Sequence, residues 1–467
     1  MSRTHDLTQG SLPLHFKRLA VPAAIGMVFT TLYNVVDVFF AGLIGTDAQA
    51  GLAISFQAFF ICITFGFGLS SAMTALVGNA IGAKQADEAR ILAARGIGFG
   101  VIITVVLAII AWFVGPELIK LVSTEGSYRD AGTRYFRFLL LSLPGFILAF
   151  GVNGLLQSQG DTVSMQRGQI AAFFANIGLN PLFVFGIPGI WGGMGFDGIA
   201  ISTALSQTGI MVYVLWRVSQ TDLMAGVTRA CFRPAADTYN HIIKQMLPVS
   251  MTMAVMMTAG FVVQYYLKGF GTSAVAAYGV ALRVEQLFLL PVFGLTGALL
   301  PIAAQNFGAD QHARVRQALL DCWKFGWMFM AVACPILYFA APLLMRSFTD
   351  DPDVIAIGVS YLRIDGFILP IYMMLFAINS FLQALKRPIW TFWIGVYRQA
   401  FGVAFFSWVY VALLDLGVMG VWFGIATSVV SGWLISLVVA EHVARKSIGG
   451  LWKPTTTRQS LNHDERL

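Results

Sequence analysis

The chain has 467 residues, of which 57% are hydrophobic and only 11% are charged, and its mean hydropathy is +0.74. A soluble domain carries about 25% charged residues to cover its surface, so this composition excludes a soluble protein and predicts an all-α polytopic membrane protein. The net charge of +7 does not indicate a nucleic acid partner, because the basic residues lie in short segments between apolar runs.

Apolar runs long enough to cross a bilayer, which takes about 20 residues each, occur twelve times along the chain. The first, a run of roughly 25 residues, is too long for the core of a cleaved signal peptide. In chain order the predicted helices, numbered helix 1 to helix 12, are 19–43, 50–80, 92–116, 134–157, 164–187, 198–217, 244–268, 277–305, 318–344, 361–384, 391–413 and 420–441.

The distribution of lysine and arginine predicts the orientation of these helices. Of 30 such residues, 21 fall in the two termini and in the connections after even-numbered helices, and 7 fall in the other connections. Because positive residues stay on the cytoplasmic side, both termini are predicted to be cytoplasmic, with the protein in a cell (inner or plasma) membrane. The predicted segments are a cytoplasmic tail 1–18, an N-lobe 19–217, a cytoplasmic linker 218–243, a C-lobe 244–441 and a cytoplasmic tail 442–467.

The second half of the chain repeats the first, with an offset of 226 in the sequence numbering. Residues 67–90 align with 293–316 with 8 identities in 24, and residues 135–157 align with 361–383 in the same register, which we call the repeat register. Each repeat holds six helices, an even number, so both halves enter the membrane in the same direction. The sequence therefore predicts two parallel six-helix lobes with a cleft between them, as alternating access requires, and a purely structural membrane protein is the alternative.

Motifs for catalysis or nucleotide hydrolysis do not occur in the sequence. It contains no P-loop, HExxH or GxSxG pattern. Its six histidines lie in tails, loops or helix ends, which argues against a haem or a metalloprotease site. We therefore expect a non-enzyme without a cofactor, driven by an ion gradient.

An acidic residue inside helix 1 is the first candidate functional residue. Asp37 lies about 27 Å along the helix from its inner end, and a charge at such depth is costly and usually functional. Asn176 and Asn180 share one face of helix 5, and Thr203 of helix 6 lies at a similar depth. These oxygens fit a Na⁺ site or a hydrogen-bonded cage for a protonatable Asp37. Ordinary polar packing is the alternative.

The second repeat does not reproduce this polar set. In the repeat register, the positions of Asp37, Asn176 and Asn180 are held by Val263, Gly402 and Phe406. Packing needs common to both repeats would have preserved both copies. The asymmetry therefore favours a specialised site in the N-lobe.

Other residues are candidates for the predicted substrate cleft, and they are Tyr33, Met253, Met256, Arg283 and Glu285. Arg283 and Glu285 near the start of helix 8 either line the cleft or pair with another helix. The methionines of helix 7 offer a soft surface for varied apolar ligands, although packing against lipid or core is the alternative. Asp365 is expected near the outer end of helix 10, in reach of water or Arg363.

Several motifs resemble those of the multidrug and toxic compound extrusion (MATE) family, namely YNVVDVFFAG, GNAIGAKQADEAR, LQSQGDT, GIAIST and ALRVEQLFLLPVFGLTGALLPIAAQNFGA. The resemblance runs from about Thr8 to Ala444, with the same twelve helices and duplicated halves. The major facilitator superfamily is the rival twelve-helix class. Its loop after helix 2 usually has a GxxxDRxGRR-like sequence, whereas this loop reads GAKQADEAR.

The resemblance implies a V-shaped pair of lobes and a secondary active antiporter that exports bulky, often cationic or aromatic compounds in exchange for H⁺ or Na⁺. It also implies a cation or proton site at Asp37, Asn176, Asn180 and Thr203. The family usually has Asp at the position of Asn180, and the loss of one carboxylate weakens a Na⁺ site and favours H⁺. The expected partners are small-molecule drugs or organic cations and membrane lipids, without nucleic acid, and the protein is expected to be a monomer.

Two other functions are weighed against efflux. A lipid-linked saccharide flippase of the same wider superfamily needs a more cationic cavity than Arg283 and Arg398 supply, because its substrate carries a pyrophosphate. A channel or a scaffold would show no counterflow of substrate against an ion gradient.

Overall fold

The computed structural model describes residues 5–123 and 125–452 of the chain. Within these ranges twelve helices are long and apolar enough to cross a membrane, which confirms the predicted all-α architecture. We keep the names helix 1 to helix 12 for Leu12–Ile44, Thr46–Gly82, Ala86–Leu121, Tyr128–Ser158, Val163–Phe185, Phe196–Ser219, Ala236–Phe270, Thr272–Gly308, His312–Phe339, Pro352–Ala384, Ile389–Leu413 and Gly417–Ile448.

Most helices extend beyond their predicted apolar runs. Helix 1 already begins at Leu12, ahead of Lys17 and Arg18, and helix 12 continues to Ile448. A helix pairs its own backbone groups, so it continues into the headgroup region, where polar side chains are solvated. The predicted tails also include residues 1–4 and 453–467, which lie outside the described residues.

Two hydrophobic cores define the two lobes. The core of the N-lobe runs from Tyr33 to Met246, and the core of the C-lobe contains the buried apolar residues from Val263 to Leu451. The first turns of helices 1 and 7 are exchanged between them. Phe16 of helix 1 belongs to the core of the C-lobe, and its equivalent in the repeat, Ile242 of helix 7, belongs to the core of the N-lobe.

The lobes meet closely at the end of the bundle that holds the start of helix 1 and the end of helix 12, which we call the terminal face. A Cβ atom placed on Gly82 would lie 1.9 Å from the carbonyl oxygen of Gln305, and one on Gly308 would lie 2.0 Å from that of Asn79. Glycine therefore permits the ends of helices 2 and 8 to cross in backbone contact.

A pair of amide side chains joins the lobes at the same crossing. Asn79 donates from Nδ2 to the carbonyl oxygen of Ala384 over 3.1 Å, and Gln305 donates from Nε2 to that of Ser158 over 2.6 Å. The two bonds are equivalent in the repeat register. Each satisfies a carbonyl at a helix end that has no donor within its own helix. We call Asn79 and Gln305 the inter-lobe amide pair.

Candidate functional site

The structure brings together the four residues that the sequence assigns to the coupling site. The Asp37 carboxylate accepts three hydrogen bonds: Asn176 and Asn180 donate from Nδ2 to Oδ1 over 3.1 and 2.9 Å, and Thr203 donates from Oγ1 to Oδ2 over 3.1 Å. Asn180 also donates to Oδ1 of Asn176 over 3.1 Å. We call these four residues the Asp37 cluster.

Three helices of the N-lobe position the Asp37 cluster. Asp37 projects from the C-terminal half of helix 1, and the one-turn spacing of Asn176 and Asn180 puts both amides on the face of helix 5 that meets it. Thr203 faces the carboxylate from the second turn of helix 6. Both asparagines are fully buried and Asp37 is only 7% exposed, so the carboxylate depends on these partners in place of water.

A cavity of about 280 Å³ adjoins the Asp37 cluster and is lined by Tyr33, Asp37 and Thr203 together with mainly apolar side chains. Three buried polar atoms of this region have no hydrogen-bond partner among the described residues: the Tyr33 hydroxyl, Oδ1 of Asn180 and the Ser206 hydroxyl. Buried polar groups normally have a hydrogen-bond partner. A water molecule or a bound cation could fill that role for these three atoms.

The hydrogen-bond directions define what the Asp37 cluster does chemically. All three bonds to Asp37 are donated to it, which suits an ionised carboxylate. A proton on Asp37 would turn one oxygen into a donor and require a partner to rotate. A Na⁺ ion would instead require oxygens to face it, and Asp37, Oδ1 of Asn180 and Oγ1 of Thr203 are of the right type. Binding of either cation would therefore reorganise the contact between helices 1, 5 and 6.

The C-lobe holds a second buried polar cluster. Tyr361 donates its hydroxyl to Oε2 of Glu285 over 2.7 Å. Both carboxylate oxygens of Asp365 are buried without a partner among the described residues. The guanidinium of Arg398 is 8% exposed and lies 5.2 Å from the ring centre of Tyr372.

The expectation that Asp365 reaches water or Arg363 is wrong. Asp365 is fully buried, and Arg363 turns away to lie 5.4 Å from the ring centre of Tyr338. Helix 10 begins at Pro352 and not at 361, so Asp365 lies about 20 Å from that end of the helix and not beside it. The spacing of Tyr361 and Asp365, one helical turn, was the available signal for a shared polar face.

The two lobes carry their buried polar groups at positions that are not equivalent in the repeat register. In the repeat register, Glu285, Asp365 and Tyr372 correspond to three residues that line the cavity of the N-lobe, which are Phe59, Leu139 and Phe146. The position of Asp37 in turn corresponds to Val263 in the C-lobe. The duplicated scaffold therefore carries two polar clusters that are not copies of each other.

The residues predicted for a substrate cleft occupy different environments. Tyr33 lines the cavity beside Asp37, and Glu285 belongs to the cluster of the C-lobe. Met253 is half-buried, whereas Met256 is 39% exposed and Arg283 is exposed. Sequence reasoning missed Ser202, Ser206, Tyr361, Tyr372 and the burial of Asp365.

Comparisons with known proteins identify the family of this chain and its fold. The sequence profile of the MatE family matches residues 22–182 and 248–409, two segments whose first positions are equivalent in the repeat register. The chain is 24% identical over 423 residues to the probable multidrug resistance protein NorM of Thermotoga maritima, covering 88% of this chain and 89% of that protein.

Two further proteins are similar to this chain. It is 27% identical over 367 residues to the FAD transporter of Shewanella oneidensis, covering 76% of this chain and 78% of that protein. A crystal structure of MATE in the bent conformation superimposes with a TM-score of 0.87 at 21% identity, covering 96% of this chain and 99% of that one. This structural likeness concerns the fold.

Proposed function

The chain belongs to the MatE family, and from this membership we propose that it is a secondary active efflux antiporter that exports bulky, cationic or aromatic compounds in exchange for H⁺ or Na⁺. The observation that carries the proposal is the Asp37 cluster, a buried carboxylate with three donors beside a cavity. The equivalent position in the C-lobe holds the apolar Val263. Packing at this position therefore does not require a carboxylate. We therefore propose that Asp37 binds the coupling cation.

The buried charges favour a cationic substrate. In the described part of the chain the membrane-spanning helices bury three acidic side chains, those of Asp37, Glu285 and Asp365, and one guanidinium, that of Arg398, so buried acidic groups outnumber buried basic ones. FAD and a lipid-linked saccharide both carry a pyrophosphate, which such an interior would repel. The resemblance to the FAD transporter therefore does not extend, in our proposal, to an anionic substrate, and a flippase is disfavoured for the same reason.

We propose that transport proceeds by alternating access of the two lobes. In the present state helices 2 and 8 close the terminal face through Gly82, Gly308 and the inter-lobe amide pair. With both termini in the cytoplasm of a cell membrane, this is an outward-facing state. Helix 1 links cation binding to the movement of the lobes, because it carries Asp37 into the N-lobe and packs its first turns on the core of the C-lobe.

The direct test is efflux of a fluorescent organic cation from proteoliposomes with ΔpH and ΔNa⁺ imposed separately. We expect uphill export with one of the two gradients and none without a gradient. Equal dye release in the absence of any gradient would identify a channel, and retention of dye under both gradients would contradict efflux.

The single carboxylate of the Asp37 cluster leads us to favour H⁺ over Na⁺. Changing Asn180 to Asp adds a second carboxylate next to Oδ1 of Asp37, which lies 2.9 Å from the present amide nitrogen. Two adjacent carboxylates repel each other, and either a shared proton or a bound cation relieves that repulsion. The added carboxylate also supplies another hard oxygen ligand for Na⁺. We expect Asn180→Asp to bind Na⁺ roughly 10-fold more tightly, about 1.4 kcal/mol, measured as the Na⁺ concentration that half-saturates transport.

Asn180→Ala is the matched control, because it removes the amide without adding charge and should not increase the response to Na⁺. An Asn180→Asp protein with an unchanged ion response would contradict our placement of the cation.

A further inference from the structure

A second cavity lies at the terminal face of the N-lobe, far along helix 1 from the Asp37 cluster. It has a volume of about 500 Å³ and lies between the N-terminal segment, helix 1, the start of helix 5 and the end of helix 6. Its lining includes the polar side chains of His5, Arg18, Gln159, Asp161, Arg167 and Arg217. Efflux as proposed above does not use it.

The cavity carries an excess of positive charge. Its acidic residue, Asp161, is already engaged: Oδ1 accepts from the backbone N–H of Ser164 over 2.9 Å, and Oδ2 lies 3.6 Å from Nη2 of Arg217. Arg18 and Arg167 form no ion pair within residues 5–123 and 125–452. Two guanidinium groups therefore remain for an anion.

The surface beside these arginines is apolar and exposed. Leu14, Arg18 and Val21 share one face of helix 1 by their spacing, and Leu14 and Val21 are 44% and 51% exposed. Val163, on the lining itself, is also exposed. Val21 follows Arg18 toward the middle of the membrane-spanning helix, where an exposed apolar side chain can contact acyl chains. Arg18, near the start of helix 1, is thus expected close to the boundary between bilayer and water.

A buried amide oxygen beside the arginines, Oε1 of Gln159, calls for a ligand that also donates a hydrogen bond. Gln159 is 3% exposed and donates from Nε2 to the carbonyl oxygen of Leu155 over 3.0 Å. Its Oε1 has no partner in the described part of the chain, although a buried acceptor is normally satisfied. A ligand that also offers a hydroxyl group would complete this site.

We propose that this cavity binds an anionic phospholipid of the phosphatidylglycerol type. Its phosphodiester pairs with Arg18 and Arg167, a headgroup hydroxyl donates to Oε1 of Gln159, and its acyl chains follow the apolar surface at Val21 and Val163. Basic pockets at helix ends on the cytoplasmic side of membrane proteins recognise anionic headgroups in this way. The ligand would hold helix 1 to helices 5 and 6, the helices that form the Asp37 cluster.

The test is a titration of the purified, full-length protein in detergent with phosphatidylglycerol, phosphatidylcholine or inorganic phosphate, followed by native mass spectrometry and by the Tm. We expect saturable binding of phosphatidylglycerol with a raised Tm, and neither effect from phosphatidylcholine or inorganic phosphate. Each arginine near an anionic headgroup is worth about a five-fold change in affinity. Arg18→Gln combined with Arg167→Gln should therefore weaken binding roughly 30-fold.

The matched control combines Arg229→Gln and Arg233→Gln, which removes two exposed arginines from the linker and should leave lipid affinity unchanged. Equal weakening by both double variants would show that overall charge attracts the lipid and would overturn the site. A Tm increase of the same size with inorganic phosphate would overturn the assignment to a lipid. Gln159→Leu separates the hydroxyl contact, since it should lower affinity for phosphatidylglycerol but not for phosphatidic acid, which has no headgroup hydroxyl beyond its phosphate.

Discussion

Replacing Asp37 by asparagine is expected to abolish ion-coupled efflux and to leave the protein folded in the membrane. An asparagine at this position keeps an oxygen that accepts from Asn176 and Asn180, and its amide can donate to the hydroxyl of Thr203. The buried hydrogen bonds are therefore retained, but no charge remains to attract Na⁺ or to exchange a proton. Coupling free energies are about 1–3 kcal/mol, so gradient-driven transport is expected to fall about 100-fold, to the level seen without a gradient.

The measurement is dye export from proteoliposomes under ΔpH and under ΔNa⁺, with binding of the same dye measured in parallel. Asp197→Asn is the matched control, because it changes a carboxylate of the same lobe that pairs with Arg134 over 2.8 Å outside the Asp37 cluster. That control should transport at the rate of the parent protein. Gradient-driven export by Asp37→Asn at the parent rate would refute the role of Asp37.

Changing Gly308 to alanine is expected to shift the protein away from the state in which the terminal face is closed. The new Cβ would lie 2.0 Å from the carbonyl oxygen of Asn79. This contact is too short for non-bonded atoms, so the backbones of helices 2 and 8 would have to move apart. Overpacking of this kind costs about 1–3 kcal/mol, which corresponds to roughly a 5- to 150-fold change in the ratio of the two states. Gly82→Ala should act in the same way, because it meets Gln305 at the equivalent position.

Spin labels at exposed positions 87 and 387, one on each lobe near the terminal face, report this change as a longer distance between the labels. Gly297→Ala is the matched control on the same helix, since a Cβ there has no other atom within 4 Å. An unchanged distance distribution in Gly308→Ala, or an equal change in Gly297→Ala, would contradict the role of this crossing in closing the face.

The Asp37 cluster was predictable because each of its parts has a local signal. A lone carboxylate in an apolar run is visible without a structure, and two asparagines one turn apart must share a helix face. The depth of each residue follows from its place along the helix, because every residue of an α-helix adds the same rise along the axis. What the sequence left open was the direction of the hydrogen bonds, and the structure has both amides donating to the carboxylate.

The cluster of the C-lobe was not predictable in the same way. Its members lie on helices 8, 10 and 11, and Glu285 and Arg398 are far apart in the chain, without a common local pattern. The predicted start of helix 10 also fell too late, because hydropathy marks only the apolar part of a helix. The sequence therefore predicts Asp365 near water, whereas the structure buries it fully.

The sequence by itself predicted a multi-pass membrane protein, its twelve helices, its duplication and the candidate residues Asp37, Asn176, Asn180 and Thr203. Each of these depends on composition, on internal repetition or on the place of a residue along its own helix. Only the tertiary structure decided which ends of the helices touch. The exchange of the first turns of helices 1 and 7, the crossing at Gly82 and Gly308, the inter-lobe amide pair and the basic cavity all join segments that are distant in the chain. Contacts of this kind depend on how helices pack in three dimensions, and periodicity along the chain carries no information about them.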